Sequence, residues 1–486
     1  MDGTENGGPA TGDGGMDETQ PMEPVSDGSG GAAAGGAAGG GAASGGGGSS
    51  LNWLWWVIGI LVVAGVVYWI SQSGSTTSTT GTTQAQASTT TQAQSSTTAA
   101  PSTTAPVEST TTAAAEPLKF GMILVGPRDD HGWSQAHFEA GEYVESELGA
   151  EMIVADKINV ADSPDYGVAQ AVDDMVADGA QLVFATSDDM KDGILEAAAA
   201  HPDVPMIWSS GDSAWADGNA YQANLTNLGN VMGRMEYGKM IAGCAAALQT
   251  QTGSIGYLGP LINDETRRLA SSAFLGANYC YNSVRTETPA DLKFAVNWIG
   301  FWFNIPGVTL DPDTVTNDFY DGGADVVISG IDTPNAITIA GSRFAADEQV
   351  WAIPYDYRGA CDQAPAACLG VPYFNWGPSY KDIASSVADG SFTAQFQWIG
   401  PDWAYFNDPA YSMIGFEMGQ GLSAESQGAL SQFIAGLGDG SINLFTGPLN
   451  YQDGSAFLGD GEVATDQQIW YLPQLLEGME GASSAP

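Results

Sequence analysis

From Lys119 onward, short apolar runs alternate with stretches of helical period, and the series runs through twice. Such alternation predicts parallel sheets covered on both faces by helices. In the first pass FGMILVG, EMIVA, QLVFATS and PMIWSS read as strands. Helices run through Ala136 to Leu148, around Gly167 to Asp178 and from Met190 to Ala200. A long helical stretch, Val231 to Leu248, follows. The second pass offers SIGYLG, KFAVNWIG, ADVVISG, QVWAIPYD and CLGVPYFNW as strands, with helices through Arg268 to Asn278, near Thr314 to Gly322 and from Asn335 to Phe344. The expected fold class is therefore α/β, with two doubly wound, Rossmann-like lobes. Lobe 1 takes residues from about 117 to 228 plus 378 to 400, and lobe 2 those from about 229 to 377 plus the C-terminal segments. Hinge crossovers are expected near Leu225–Gly233 and Asn375–Ser379, with a third beyond Gly400. In such sheets a ligand sits at the carboxyl ends of the strands, so the cleft between lobes is the expected site.

The chain ahead of this part has another character. Residues 1–50 are acidic and then rich in Gly, Ala and Ser, with almost nothing to bury, and read as disordered. Leu51 to Ile70 (LNWLWWVIGILVVAGVVYWI) is uncharged, apolar and long enough to span a bilayer, with Trp53, Trp55, Trp56, Tyr68 and Trp69 at its ends. It lacks the basic flank and cleavage site of a signal peptide, so a single transmembrane anchor is expected. No Lys or Arg precedes Lys119, and orientation rests instead on residues 71–116, whose Ser/Thr-rich composition is that of an extracytoplasmic stalk. The expected localisation is the cell membrane, single-pass, with residues 117–486 outside the cytoplasm.

A net charge of −44 and the absence of any basic stripe argue against nucleic acid as a partner. Cys244, Cys280, Cys361 and Cys368 lack zinc-site spacing, and the histidines lack metal-ligand spacing, so neither metal nor cofactor is expected. Four cysteines in an exported chain allow three pairings. A local Cys361–Cys368 bridge around Pro365 is one expectation, and buried free thiols are the other.

After the first strand comes GPRDDHGWSQAHFEAG. Asp129 and Asp130 are acceptors at a strand end, while Trp133 and Phe138 lie on the loop and first turns of the following helix. Carboxylates beside flat apolar surfaces suit a ring with polar edges, such as a nucleoside or a sugar. The structural alternative is that one acid caps the helix and an aromatic fills the layer between sheet and helix.

The run DDHGWSQAHFEAG resembles the first-loop signature of the basic membrane protein family, the purine-nucleoside-receptor-like substrate-binding proteins of ABC importers. The resemblance extends through VFATS, GRMEYGKMIAG, VNWIGFWFN, ADVVISGIDTP, WAIPYD, FNWGPSYK and FTGPLNYQDG, so it covers essentially all of Leu118 to Gly481. It implies a type I periplasmic-binding-protein-like fold and an ABC permease as partner. Carried over by position, Asp129 matches the base-facing acid and Phe138 the first-lobe stacking ring. Trp302 falls near the second-lobe aromatic, Asp356 matches a sugar-binding acid, and Lys381 aligns with the ligand-binding lysine. Ser187 and Asp332 occupy strand ends in the same cleft, and Trp133 and Trp376 add to its aromatic surface. One departure is Asp356-Tyr357-Arg358 where the family has an Asp pair; Arg358 meets either an anionic group or a neighbouring acid. Trp298 reads equally as cleft or as core.

The expected function is a membrane-tethered solute-binding protein, not an enzyme, that captures a nucleoside or similar small polar ring. A ligand-sensing ectodomain and a carboxylate-based nucleoside hydrolase are the alternatives.

Overall fold

The computed structural model describes residues 116–485. The tail, the anchor Leu51–Ile70 and the stalk lie outside the described residues, apart from the stalk's last position. Among the described residues no helix is long and apolar enough to cross a membrane.

Two all-parallel sheets organise the unit. The first is six-stranded, in the order β11 (Phe396–Ile399), β5 (Leu228–Gly233), β4 (Met206–Ser209), β3 (Leu182–Ala185), β1 (Lys119–Ile123), β2 (Glu151–Ala155). Its helices are α1 (Trp133–Leu148), α2 (Val168–Ala177) and α3 (Lys191–Ala200). The second is five-stranded, in the order β15 (Met479–Glu480), β7 (Lys293–Trp298), β6 (Ser254–Gly259), β8 (Val326–Ser329), β9 (Trp351–Ile353). It carries α4 (Met235–Gln249), α5 (Asp264–Tyr279), α6 (Pro312–Asp321) and α7 (Asn335–Phe344). Both sheets switch direction beside their first strand, which opens a crevice at the carboxyl ends there.

Strand burial explains the continuous apolar runs: Phe120, Met122 and Ile123 are fully buried, as expected where helices cover both faces. In α1 the buried Trp133, Ala136, Ala140 and Val144 recur every three or four residues, and the helix stops at Gly149, whose φ of 63° is open to glycine without strain. Helices α4 and α5 approach so closely that a Cβ on Gly243 would overlap the Ala273 carbonyl, and one on Gly276 the Met240 carbonyl. The Cys244–Cys280 disulfide joins the interior of α4, next to Gly243, to the residue just past the end of α5, and Cys361–Cys368 closes a local loop. Both bridges suit an oxidising compartment.

The chain passes between the sheets three times. It leaves the first at β5 and enters α4. It returns through β10 (Gly370–Phe374) into α8 (Gly377–Ala388), which packs on α1. It leaves again after β11, through β12 (Ile414–Met418), into α9 (Ala424–Gly438). Strands β10 and β12 pair antiparallel. The hairpin β13 (Leu449–Asn450) and β14 (Ala456–Leu458) and the short α10 (Asp466–Trp470) precede β15. Two sequence expectations change here. The stretch read as helix from Val231 is strand as far as Gly233, within the first sheet, and the helix starts at Met235. CLGVPYFNW is a strand, but it pairs with β12 and meets β9 and the residues after it through the isolated bridges Ala352–Cys368 and Asp356–Tyr373.

Candidate functional site

A narrow cleft lies where the carboxyl ends of the two sheets face one another, with about 400 Å³ of atom-free space between its walls when open solvent is included. From the first sheet's loops come Trp133, Ser187, Asp188 and Ser210. From the second come Tyr257 on β6, Glu265, Thr266 and Leu269 at the start of α5, Trp302 after β7, Gly330 and Asp332 after β8, and Tyr355 after β9.

Trp133 is placed by a carboxylate. Asp130 accepts hydrogen bonds from the backbone N–H groups of Gly132, Ser134 and Gln135, each at 2.9 Å, which fixes the turn into α1. The Trp133 indole then donates to the Thr186 carbonyl at 2.5 Å. In the second sheet Asn263 and Thr266 cap α5 reciprocally, and the Asn263 amide reaches across to the Asp188 carboxylate at 3.3 Å. The loops after β7 and β8 are tied by the Asp332 N–H, which donates to the Trp302 carbonyl at 3.0 Å.

The cleft is acidic, and the lining contains no Lys or Arg. Burial pushes the Asp332 carboxyl well above the usual range, helped by Asp356, Asp130 and Glu265. Burial likewise lifts Glu265 to about 7 against the pull of Arg268, and raises Asp188 against Lys191 and Arg268. Arg268 itself is committed: its Nε donates to Glu236 at 2.6 Å in a buried pair. Behind the wall, Lys239 is fully buried and pushed down to about 7 by desolvation, with Asp356 and Glu265 acting the other way. Asp356, also fully buried, is pushed well above its usual range by the same cause.

Residues 118–394 match a family model described as the PnrA-like ABC transporter substrate-binding proteins. The chain belongs to this family. A purine-binding protein of Brucella abortus is 28% identical over 370 residues, spanning 76% of this chain and 94% of that protein. A putative ABC transporter glucose-binding protein of Haloferax volcanii is 26% identical over 374 residues, 75% of this chain and 81% of that one. Among solved structures, an ABC transporter solute-binding protein from Aeropyrum pernix K1 superposes with a TM-score of 0.53 at 11% identity, covering 74% of this chain and all of that one. The last is a likeness of fold alone. The α/β periplasmic-binding-protein-like architecture and the general role, substrate binding for ABC transport outside the cytoplasm, follow from family membership.

Within this PnrA-like protein the expected site residues separate into groups. Trp133, Ser187, Trp302 and Asp332 come together in the cleft. Asp130 lies behind it as the loop-holding acid described above, and Asp356 lies beneath it beside Lys239. The remaining expected residues lie outside the cleft lining. Asp129 is exposed and does not line the cleft. Phe138 is half-buried beneath Arg128, whose guanidinium lies 5.2 Å from its ring centroid, because the helix turns it away from Trp133. Trp376 is sealed in a ring stack between His137 at 4.3 Å and Phe374 at 4.7 Å. Lys381 is half-buried on α8, one residue past the buried Tyr380, and is not part of the cleft lining. Arg358 pairs with Glu417 at 2.9 Å, and the Trp298 indole donates to the Ala482 carbonyl at 2.8 Å.

Asp188, Ser210, Glu265, Tyr355 and Lys239 were not expected. The first four each follow a strand within a few residues, so the carboxyl-end rule applied to every strand, rather than to motif matches, finds them. Lys239 carries no such signal.

Proposed function

We infer that the cleft captures an uncharged, hydroxyl-rich ring, a nucleoside or a similar small polar ring such as a sugar, and presents it to an ABC permease. One observation carries this reading: Trp133 and Trp302, from opposite sheets, share a cleft with Asp188, Glu265 and Asp332 and with no lining cation. Indole faces take a flat ring, at about 1–3 kcal/mol per stacked base in other systems. The buried carboxyls, whose protonated forms burial favours, accept and donate hydrogen bonds and suit hydroxyls and ring N–H groups. A phosphate would find no cation in the lining, which disfavours nucleotides and sugar phosphates. The relatives' names, one purine-binding and one glucose-binding, span the same two chemistries.

The three passages between the sheets serve as the hinge, and the ligand favours the closed form because both sheets touch it only when shut. The anchor Leu51–Ile70 and the stalk keep the protein at the outer membrane face. Solute-binding relatives and the histidines support binding rather than turnover. His137 is locked in the ring stack, His201 pairs with Asp173 at 2.6 Å, and His131 is exposed, so none is set against a nucleophile in the cleft.

Calorimetric titration with adenosine, adenosine 5′-monophosphate, glucose and glucose 6-phosphate tests the reading. Saturable binding of a neutral member, without its consumption and without binding of its phosphate ester, is the expected result. Tighter binding of a phosphate ester, or turnover of any of the four, contradicts it.

A further inference from the structure

The buried Lys239 has no part in the capture described above, yet it touches the back of the cleft wall at several points. Its ammonium donates to the Ser329 carbonyl at 2.7 Å, immediately before the lining Gly330 and close to Asp332. It stands 3.1 Å from the centroid of the lining Tyr355 ring and 5.5 Å from that of the lining Tyr257. Among the described residues it is the only fully buried lysine, and its carboxylate neighbours are Asp356 and Glu265. Asp356 is held in place by backbone: it bridges Tyr373, and its carbonyl accepts from the Phe374 N–H at 3.1 Å, with a φ of 69° that few non-glycine residues adopt. No well-formed hydrogen bond reaches either of its carboxylate oxygens, and the adjacent Tyr355 hydroxyl is a weak partner at most. Ionising a carboxyl buried without well-formed partners is expensive, and the charge of the Lys239 ammonium acts against that cost.

We propose that Lys239 is a specificity-determining positioning residue: it seats the Ser329–Asp332 loop and the Tyr355 ring, and its charge sets the cleft to take an uncharged ring in preference to a cation. This rests on the neutral-ring reading of the cleft. Asp188, Glu265 and Asp332 line it, with Asp130 and Asp356 behind. Arg268 is engaged by Glu236, which leaves Lys239 as the balancing charge beneath the second sheet's wall. With Lys239 removed, an amine on the ligand takes over the compensating role.

The test titrates wild type, Lys239→Met, Lys239→Arg and Lys239→Met/Asp356→Asn with two matched pairs at pH 6.5. One pair is adenosine and 5′-amino-5′-deoxyadenosine, the other glucose and glucosamine. Wild type prefers the neutral member of the pair it binds. Lys239→Met weakens the neutral ligand and shifts the neutral-to-cationic preference toward the amine by about tenfold, about 1.4 kcal/mol. Lys239→Arg keeps the wild-type preference. The double variant removes both buried charges and recovers neutral binding, which keeps the test valid if Lys239→Met alone fails to fold. An unchanged preference in Lys239→Met, or in the double variant an affinity loss with no return of neutral binding, overturns the role of Lys239 alone. Failure of wild type to bind any of the four overturns the cleft reading beneath it.

Discussion

A Cβ added to Gly132 would overlap the carbonyl oxygen of Asp332. Gly132 sits on the loop after β1 and Asp332 on the loop after β8, so this backbone contact joins the two sheets at the rim of the cleft. Gly132 combines a φ of −150° with a ψ of −129°, outside the ordinary extended region, so the close approach and the backbone conformation both favour glycine. Gly132→Ala is expected to lower the melting temperature modestly and to hinder closure. The loss in ligand affinity should be about tenfold or more by calorimetry, since a side chain in that contact favours the open form.

Trp302 and Phe138 separate the observed cleft from the one expected from family position. Trp302→Ala should weaken binding by about tenfold or more, from the loss of one stacking face. Phe138→Ala removes a ring lying under Arg128 and outside the lining, so affinity should stay within about twofold of wild type. The reverse ranking in a titration would return the stacking role to Phe138.

Much of the scaffold can be read from the chain, and the limits have physical causes. Alternating apolar runs and helical periods mark the strands and helices, because burial on both sheet faces demands continuous apolar sequence. The β5 segment LGNVMG fails this reading because it runs directly into GRMEYGKM, whose apolar spacing suits a helix, and the junction at Arg234 leaves no Gly–Pro punctuation. Trp133 and Phe138 lie five residues apart. At about 100° per residue that places them about 140° apart around α1, so both cannot face one cleft. The choice between them needed the Trp133–Thr186 hydrogen bond. Lys239 was illegible for a different reason: the burial of a charge is decided by partners distant in sequence, and the residue itself carries no mark of it.

Glu265 gives a pH signature of defined sign. Its folded-state value of about 7 lies above the ordinary 4.5, so the folded protein holds a proton that the unfolded chain releases. Its contribution to stability is full below about pH 4.5, declines as pH rises, and is lost by about pH 7. Lys239, lowered to about 7, acts in the opposite sense and only above that value. Melting temperature followed from pH 4.5 to 7 should therefore fall less steeply in Glu265→Gln than in wild type. Parallel curves would mean that Glu265 is hydrated and ordinary.

The Cys244–Cys280 bridge spans 36 residues and ties α4 to α5 within one sheet's helical layer. Loop-closure entropy for that span is about 3–4 kcal/mol. The paired Cys244→Ala/Cys280→Ala variant should lose stability of that order in denaturant unfolding. Ligand affinity should be unchanged, since neither cysteine lines the cleft.

The threefold passage of the chain between the sheets bears on how the protein is made. The first sheet's edge strand β11 arrives only at Phe396–Ile399, after most of the second sheet has been synthesised, and β15 closes the second at Met479–Glu480. Until then β5 and β7 each present an unpaired edge, the feature that invites strand addition from another molecule. No cut at a single point yields a self-sufficient half. Truncations, nascent chains and split reporters all inherit an open edge, and the first sheet, instead of being finished before the second begins as in a simple pair of tandem domains, is completed late, shortly before the second.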